Sequence, residues 1–194
     1  MTIRSSSLAA SVAIAIALVA ASSHAQTTKS PADAARALYV EGKDLRRSGD
    51  LTRSLEKLEA AHALYATPIT ALEAGRGHAL LGHLKKAIAL WESIPSLPVK
   101  STESAKAAEA RAEAVTLIAQ TRERLSKLRL EGAPKEARVL VDGDEVDAGA
   151  REAWLVDPGA HHVVAELGDK RSTEDVRVGE GEERTVTLAL DRTS

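Results

Sequence analysis

Gly42-Lys43-Asp44-Leu45-Arg46-Arg47-Ser48-Gly49-Asp50-Leu51 and Gly75-Arg76-Gly77-His78-Ala79-Leu80-Leu81-Gly82-His83-Leu84 are two versions of one pattern. Gly42 pairs with Gly75, Gly49 with Gly82 and Leu51 with Leu84, each pair 33 residues apart, and the register runs on to Leu58 and Trp91. A constant offset of that size means one structural unit used twice, because a helix hairpin that cannot hide its apolar flank alone gains by stacking on a copy of itself. Gly costs about 0.8–1 kcal/mol relative to Ala inside a helix, so Gly42 and Gly75 point to close backbone approach. Gly49 and Gly82, at the ends of apolar stripes, read as helix stops.

Working outward, each stripe has the helical period. Ser30-Pro31-Ala32-Asp33 opens the first helix with a capping hydroxyl, a proline suited to the first turn and an acid near the positive helix end. Ala34, Leu38, Gly42 and Leu45 then line one side. Asp50 caps a second helix carrying Leu51, Leu55, Leu58, Ala61 or His62, and Tyr65. Thr67-Pro68 starts a third, with Ile69, Leu72, Gly75 and Ala79, and a fourth carries Leu84, Ala87, Ile88, Trp91 and Ile94. A fifth, single long helix is expected from Thr102 to about Leu128, with Ala105, Ala108, Ala112, Val115, Ile118 and Leu125 on its packed side, closing the open end of the array.

Over residues 34–95 this plan resembles the tetratricopeptide repeat (TPR): Gly42, Leu45, Gly49, Asp50 and Ala61 fit the family's pattern in the first unit, and Gly75, Gly82 and Ala87 in the second. The resemblance implies a peptide- or protein-binding concave face. Arg36, Tyr39, Lys43 and Arg47 recur along the first helix beside its packed stripe, and Arg76 matches Lys43 one unit on. These five are the candidate groove residues, suited to an acidic or C-terminal peptide through charge-assisted hydrogen bonds.

Near Lys127 the period changes from helical to alternating, and Val, Thr and Leu replace Ala between turn residues. Strands are expected at 128–131, 138–142, 153–156, 161–167, 173–178 and 184–190, and their tight turns suggest a small antiparallel sandwich. Pro134, Ala137, Val139, Val141-Asp142-Gly143, Asp157-Pro158-Gly159, His161, Val163, Val186, Leu188 and Leu190 fall in an order that resembles the PEGA module, a small β-domain of bacterial envelope proteins, with Glu136 where its name-giving glycine stands. The expected fold class is therefore α+β, with TPR-like hairpins and a capping helix over 26–127 and a PEGA-like β-sandwich over 128–192. That order is similar to myxobacterial-type envelope proteins, and the resemblance implies a scaffold or binding role.

Arg4 followed by the uncharged run Leu8–Ala21 and then Ser23-His24-Ala25 matches a secretory signal peptide over 1–25, with cleavage after Ala25. The run is shorter than the ~20 apolar residues of a membrane span. The chain carries a formal charge of −2, and loss of Arg4 takes it to −2 − 1 = −3, a balance that favours no nucleic acid. Cysteine is absent, which excludes disulfides and thiol chemistry, and with no Phe the core must rest on Leu, Val, Ile and Ala. A periplasmic or secreted location follows from the leader.

No phosphate loop, nucleophile elbow or His-Glu-x-x-His is present, so no enzyme, cofactor or metal is expected. Asp142-Gly143-Asp144-Glu145 opens like a calcium loop, but Val146, Asp147 and Ala153 stand where ligands or the turn glycine belong, so it reads as a hairpin turn. His161 and His162 face opposite ways on a strand, and His78 and His83 lie five apart, both poor ligand spacings. The competing function is glycan or peptidoglycan binding through the β part, whose only large ring of the stacking kind is Trp154.

Overall fold

The computed structural model describes residues 30–99 and 101–192. The expected leader, residues 1–25, lies outside the described residues. Among the described residues five α-helices come first: α1 (Pro31–Arg47), α2 (Leu51–Leu64), α3 (Pro68–Leu80), α4 (Leu84–Glu92) and α5 (Ala105–Arg124). Eight strands follow: β1 (Ser126–Glu131), β2 (Arg138–Val141), β3 (Asp144–Glu145), β4 (Trp154–Val156), β5 (Gly159–Leu167), β6 (Lys170–Val178), β7 (Glu183–Thr187) and β8 (Asp191–Arg192). The architecture is α+β, a helical part followed by a β part of two sheets.

The helix starts are made by side chains the sequence places there. Ser30 accepts the Asp33 N–H, Asp50 the Arg53 N–H and Ser104 the Ala107 N–H, while Thr67 and Thr70 cap each other's backbone reciprocally. α1 and α3 end alike. Gly49 and Gly82 take φ of +89° and +80°, and the next residue reaches back five positions, Asp50 N–H to Leu45 C=O and His83 N–H to His78 C=O, both 3.0 Å.

The interior glycines are also used twice in one way. A Cβ on Gly42 would sit 2.9 Å from Leu58 Cγ, and one on Gly75 would sit 2.2 Å from Trp91 Nε1. So each glycine gives up its side chain to let the large residue of the next helix pack against bare backbone, and both pairs keep the offset of 33. Ser54, buried on α2, donates to the Gly42 carbonyl at 2.7 Å, and the Trp91 indole donates to the Leu72 carbonyl at 3.1 Å.

α5 packs on α3 and α4, with Ile118 of the expected stripe and Leu125 just beyond the helix packed inward, but its first three turns present a different face from the expected one. Its buried residues are Ala107, Ala110, Ala114 and Thr121, whereas Ala105, Ala108, Ala112 and Val115 are exposed. Alanine on every side of this helix leaves a periodicity with no contrast, and the fit against Ala71, Leu72 and Trp91 decides the rotation. The helix is also shorter than expected at both ends. It stops at Arg124, Leu125 turns to extended backbone and docks on Leu84 and Ile88, and β1 begins at Ser126.

The β part corrects the expected all-antiparallel arrangement. One sheet has the order β4-β1-β7 and the other β3-β2-β5-β6-β8, and β1 runs parallel to β7, with Leu130 opposite Val186. Parallel neighbours need a long crossover, and here β2 to β6, which include four of the five strands of the second sheet, lie between them in the chain. The expected last strand, 184–190, ends early: β7 stops at Thr187, and a separate strand beyond that range, β8, pairs with the start of β6 in the other sheet. Leu128, Leu130, Val139, Val141, Val163, Val186 and Leu188 form the aliphatic core between the sheets.

The segment 134–137 is held by a buried cation. Arg151 donates to the carbonyls of Pro134 (2.7 Å) and Ala137, which fixes the turn that lacks the glycine of the resemblance. Asp142 (φ +53°) and Gly143 (φ +92°) make the tight β2–β3 hairpin turn, the left-handed pair such a turn requires.

Candidate functional site

The C-terminal ends of α1, α3 and α5 converge on a hollow of about 510 Å³. Ala79, Leu80, Trp91, Leu117 and Thr121 make its floor, and Arg46, Arg76, Gln120 and Arg124 its rim. Leu80 is 54% exposed, an apolar side chain left to solvent where the array turns inward. Arg46 and Arg124 stand in last turns, where the carbonyl end of a helix favours a cation.

Beneath the rim lies Glu73, a carboxylate whose side chain is only 6% exposed. Its Oε2 accepts from Arg46 Nη2 at 2.5 Å and its Oε1 from Arg76 Nη1 at 2.6 Å. Burial pushes the Glu73 carboxyl up, but Arg46, Arg76 and Lys43 outweigh it and hold the group below the ordinary carboxylate value. Arg76 also reaches Glu113 on α5, so this one guanidinium ties α3 to its neighbour. Arg124 is held from the β part, where Glu180 accepts from its Nε (3.0 Å) and Nη2 (2.6 Å). That pairing lowers the Glu180 carboxyl and raises the Arg124 guanidinium.

Of the five residues named from sequence, Arg76 lines the hollow. Tyr39 and Lys43 sit higher on α1 and engage each other, Lys43 Nζ lying 3.4 Å from the phenol oxygen and 5.4 Å from the ring centre. Arg36 is exposed beside Ala37 and Val40, and Arg47 is exposed and paired with Asp44, both outside the hollow. The sequence reading missed Arg46, Leu80 and Arg124. Shifting Arg46 by the repeat offset gives Ala79, another lining residue, so Arg46 was within reach of the 33-residue comparison. Arg124 was not, because α5 does not follow that period.

A second cluster lies where the two parts meet. The first turn of α4 has no capping side chain of its own, and the Asp157 carboxylate of the β part accepts the Lys85 N–H at 2.7 Å in its place. Lys85 Nζ stands 5.4 Å from the Trp154 ring centre, so one face of the ring proposed for sugar stacking carries an ammonium. His161, buried, is held between the Asp142 carboxylate at Nδ1 and the Asp157 carbonyl at Nε2, each at 2.6 Å. His162 points the other way, to Asp175 at 2.7 Å. Asp142 thus serves the hairpin and His161, and His78 pairs with Glu59 across α2 and α3 at 2.9 Å. Among the described residues no group of three or more His, Asp and Glu is placed to hold a metal ion, and no helix is long and apolar enough to cross a membrane.

Comparison with known proteins finds no match to a family model, to a curated protein or to a solved structure.

Proposed function

We propose that this chain is a non-enzymatic, exported interaction or scaffold protein of a bacterial cell envelope, and that its helical hollow binds an acidic peptide segment of a partner protein. One observation supports this above the others: an apolar floor that includes the exposed Leu80 is ringed by Arg46, Arg76 and Arg124 at the meeting point of three helices. A floor of that kind takes one or two apolar side chains, and guanidinium forks take the carboxylates beside them. The leader-like residues 1–25 support export, and the helical-repeat and PEGA resemblances support an adaptor role. The glycan alternative rests on Trp154, which is half-buried and shares a face with Lys85, and this favours the hollow over the β part.

The test uses a fluorescent peptide alternating Glu and Leu, with a Gln and Leu counterpart as control. The acidic peptide is expected to bind more tightly, with an affinity that falls as salt rises. Leu80→Glu puts a carboxylate on the floor without removing a partner from any buried charge, and it is expected to weaken binding at least tenfold. Equal binding of the two peptides, or indifference to Leu80→Glu, rejects the hollow as the site.

A further inference from the structure

All three rim arginines are answered by carboxylates of the same chain, and the three answers differ in how firmly they are fixed. Glu73 is buried between Arg46 and Arg76 and is carried by the same helix as Arg76. Glu113 belongs to α5, a helix that lines the hollow. Glu180 is of another kind. It stands in the turn Gly179-Glu180-Gly181 between β6 and β7, its side chain is 51% exposed, and it crosses from the β part to reach Arg124. The same turn adds a backbone bond, Gly181 N–H to the Arg124 carbonyl at 2.9 Å, and Gly181 takes φ +67°, which permits that reach. Arg124 lines the hollow while Glu180 does not, so the pair joins a lining residue of the hollow to the turn.

An ion pair this open to solvent is worth little, because water and salt screen it and both side chains lose freedom in forming it. It is the rim contact a second carboxylate displaces most freely: Glu113 is nearly as exposed, 44%, but its Arg76 is also held by the buried Glu73, and Glu73 would leave two guanidinium groups without their buried partner if it moved.

We infer that Glu180 is an internal competitor for the hollow: a carboxylate on a bound acidic segment draws the Arg124 fork away from it, loosens the Glu180–Gly181 end of a turn whose Gly179 carbonyl the Ser126 hydroxyl still holds at 2.6 Å, and so couples occupancy of the hollow to the seating of the β part. This rests on the peptide-binding reading above. The coupling is reciprocal by linkage, so whatever holds the β part firmly against α5 weakens the acidic segment, and the converse. The contact between Asp157 and the start of α4 is made elsewhere on the helical part and is left in place.

The experiment compares the full chain with its Glu180→Ala variant, using the same Glu/Leu peptide, and follows amide exchange at Gly181 with and without peptide. Glu180→Ala is expected to tighten binding about two- to fivefold, the range set by an exposed ion pair, with the gain shrinking at high salt. Peptide added to the unaltered chain is expected to speed exchange at Gly181. Equal affinities for the two chains overturn the competition and leave the hollow as a binding site. Weaker binding by the variant also overturns it, since Glu180 would then be orienting Arg124 rather than occupying it. No binding by either chain removes the peptide reading and the competition together.

Discussion

α1 and α3 occupy equivalent places in the two hairpins, begin with proline and carry a glycine seven residues before the left-handed glycine that follows each helix, yet they are buried very differently. Nine of the thirteen residues of α3 are buried, against two, Ala35 and Gly42, of the seventeen in α1. The difference comes from neighbours. α3 has α2 on one side and α4 and α5 on the other, while α1 leans on α2 alone among the helices it packs on closely and leaves Val40 49% exposed. A repeat acquires stability from the interface on each side of it, so the inner copy is the rigid one and the outer copy the adaptable one. The hollow spans both, with Arg46 on the loose helix and Arg76 on the fixed one.

The sharpest way to break that comparison is to empty the large-residue site of each hairpin. Trp91→Ala is expected to cost about 4 kcal/mol and Leu58→Ala about 3, both being wholly buried, with the difference set by volume removed. Urea denaturation followed by circular dichroism measures both, and a larger loss at Leu58 would mean the outer hairpin is the stability centre. A finer probe fills the glycines instead. Gly75→Ala drives a methyl into the Trp91 ring, which α3, α4 and α5 hold in place, and is expected to cost about 2 kcal/mol after the gain in helix propensity. Gly42→Ala meets Leu58 Cγ at 2.9 Å and Lys57 Cβ at 3.2 Å, a milder overlap on the less enclosed helix, and is expected to cost about 1 kcal/mol. Similar effects at the two positions would show that both hairpins are equally rigid.

The smallest expected effect is one of pH. Burial lowers the His78 imidazole below its usual value against the opposing pull of Glu59, so the folded chain binds this proton less readily than the unfolded one. A proton taken up more readily on unfolding makes stability fall as pH drops through the ordinary histidine value of 6.5 towards the lowered one, and flatten below that. Thermal melts of the original chain and His78→Gln between pH 7.5 and 5.5 check this. The variant is expected to lose part of the pH dependence, and a dependence of unchanged slope assigns it to other groups.

These contrasts also mark how far the sequence could be read. The four hairpin helices, and the caps of the first three, were legible from Ser30, Asp50, Thr67 and the glycine pairs, because each is a local demand: an orphan N–H needs an acceptor, and a left-handed turn needs glycine. The rotation of α5 was not, since Ala105, Ala107, Ala108, Ala110, Ala112 and Ala114 offer the same small side chain to several directions. Six of the eight described strands were legible to within about three residues from their alternation, while the two-residue β3 and β8 are too short to show any. The direction in which β1 meets β7 was not, because side chains alternate across a sheet whichever way its neighbour runs. For the site, Arg76 was named and Arg46 and Arg124 were missed, and the partner of Arg124 lies 56 positions away, in a turn that carries no local sign of it.

The sequence by itself determined that this chain makes two equal helical hairpins, a closing helix and a strand-rich end without cysteine, since periodicity, caps and glycine placement act over one or two turns of chain. Tertiary structure alone decided which arginines share a hollow, which carboxylates answer them, and that the β part reaches back to α5 and α4. Those outcomes depend on how elements distant in the chain rotate against one another, and charged side chains take whichever partner the packing of the apolar ones brings within reach.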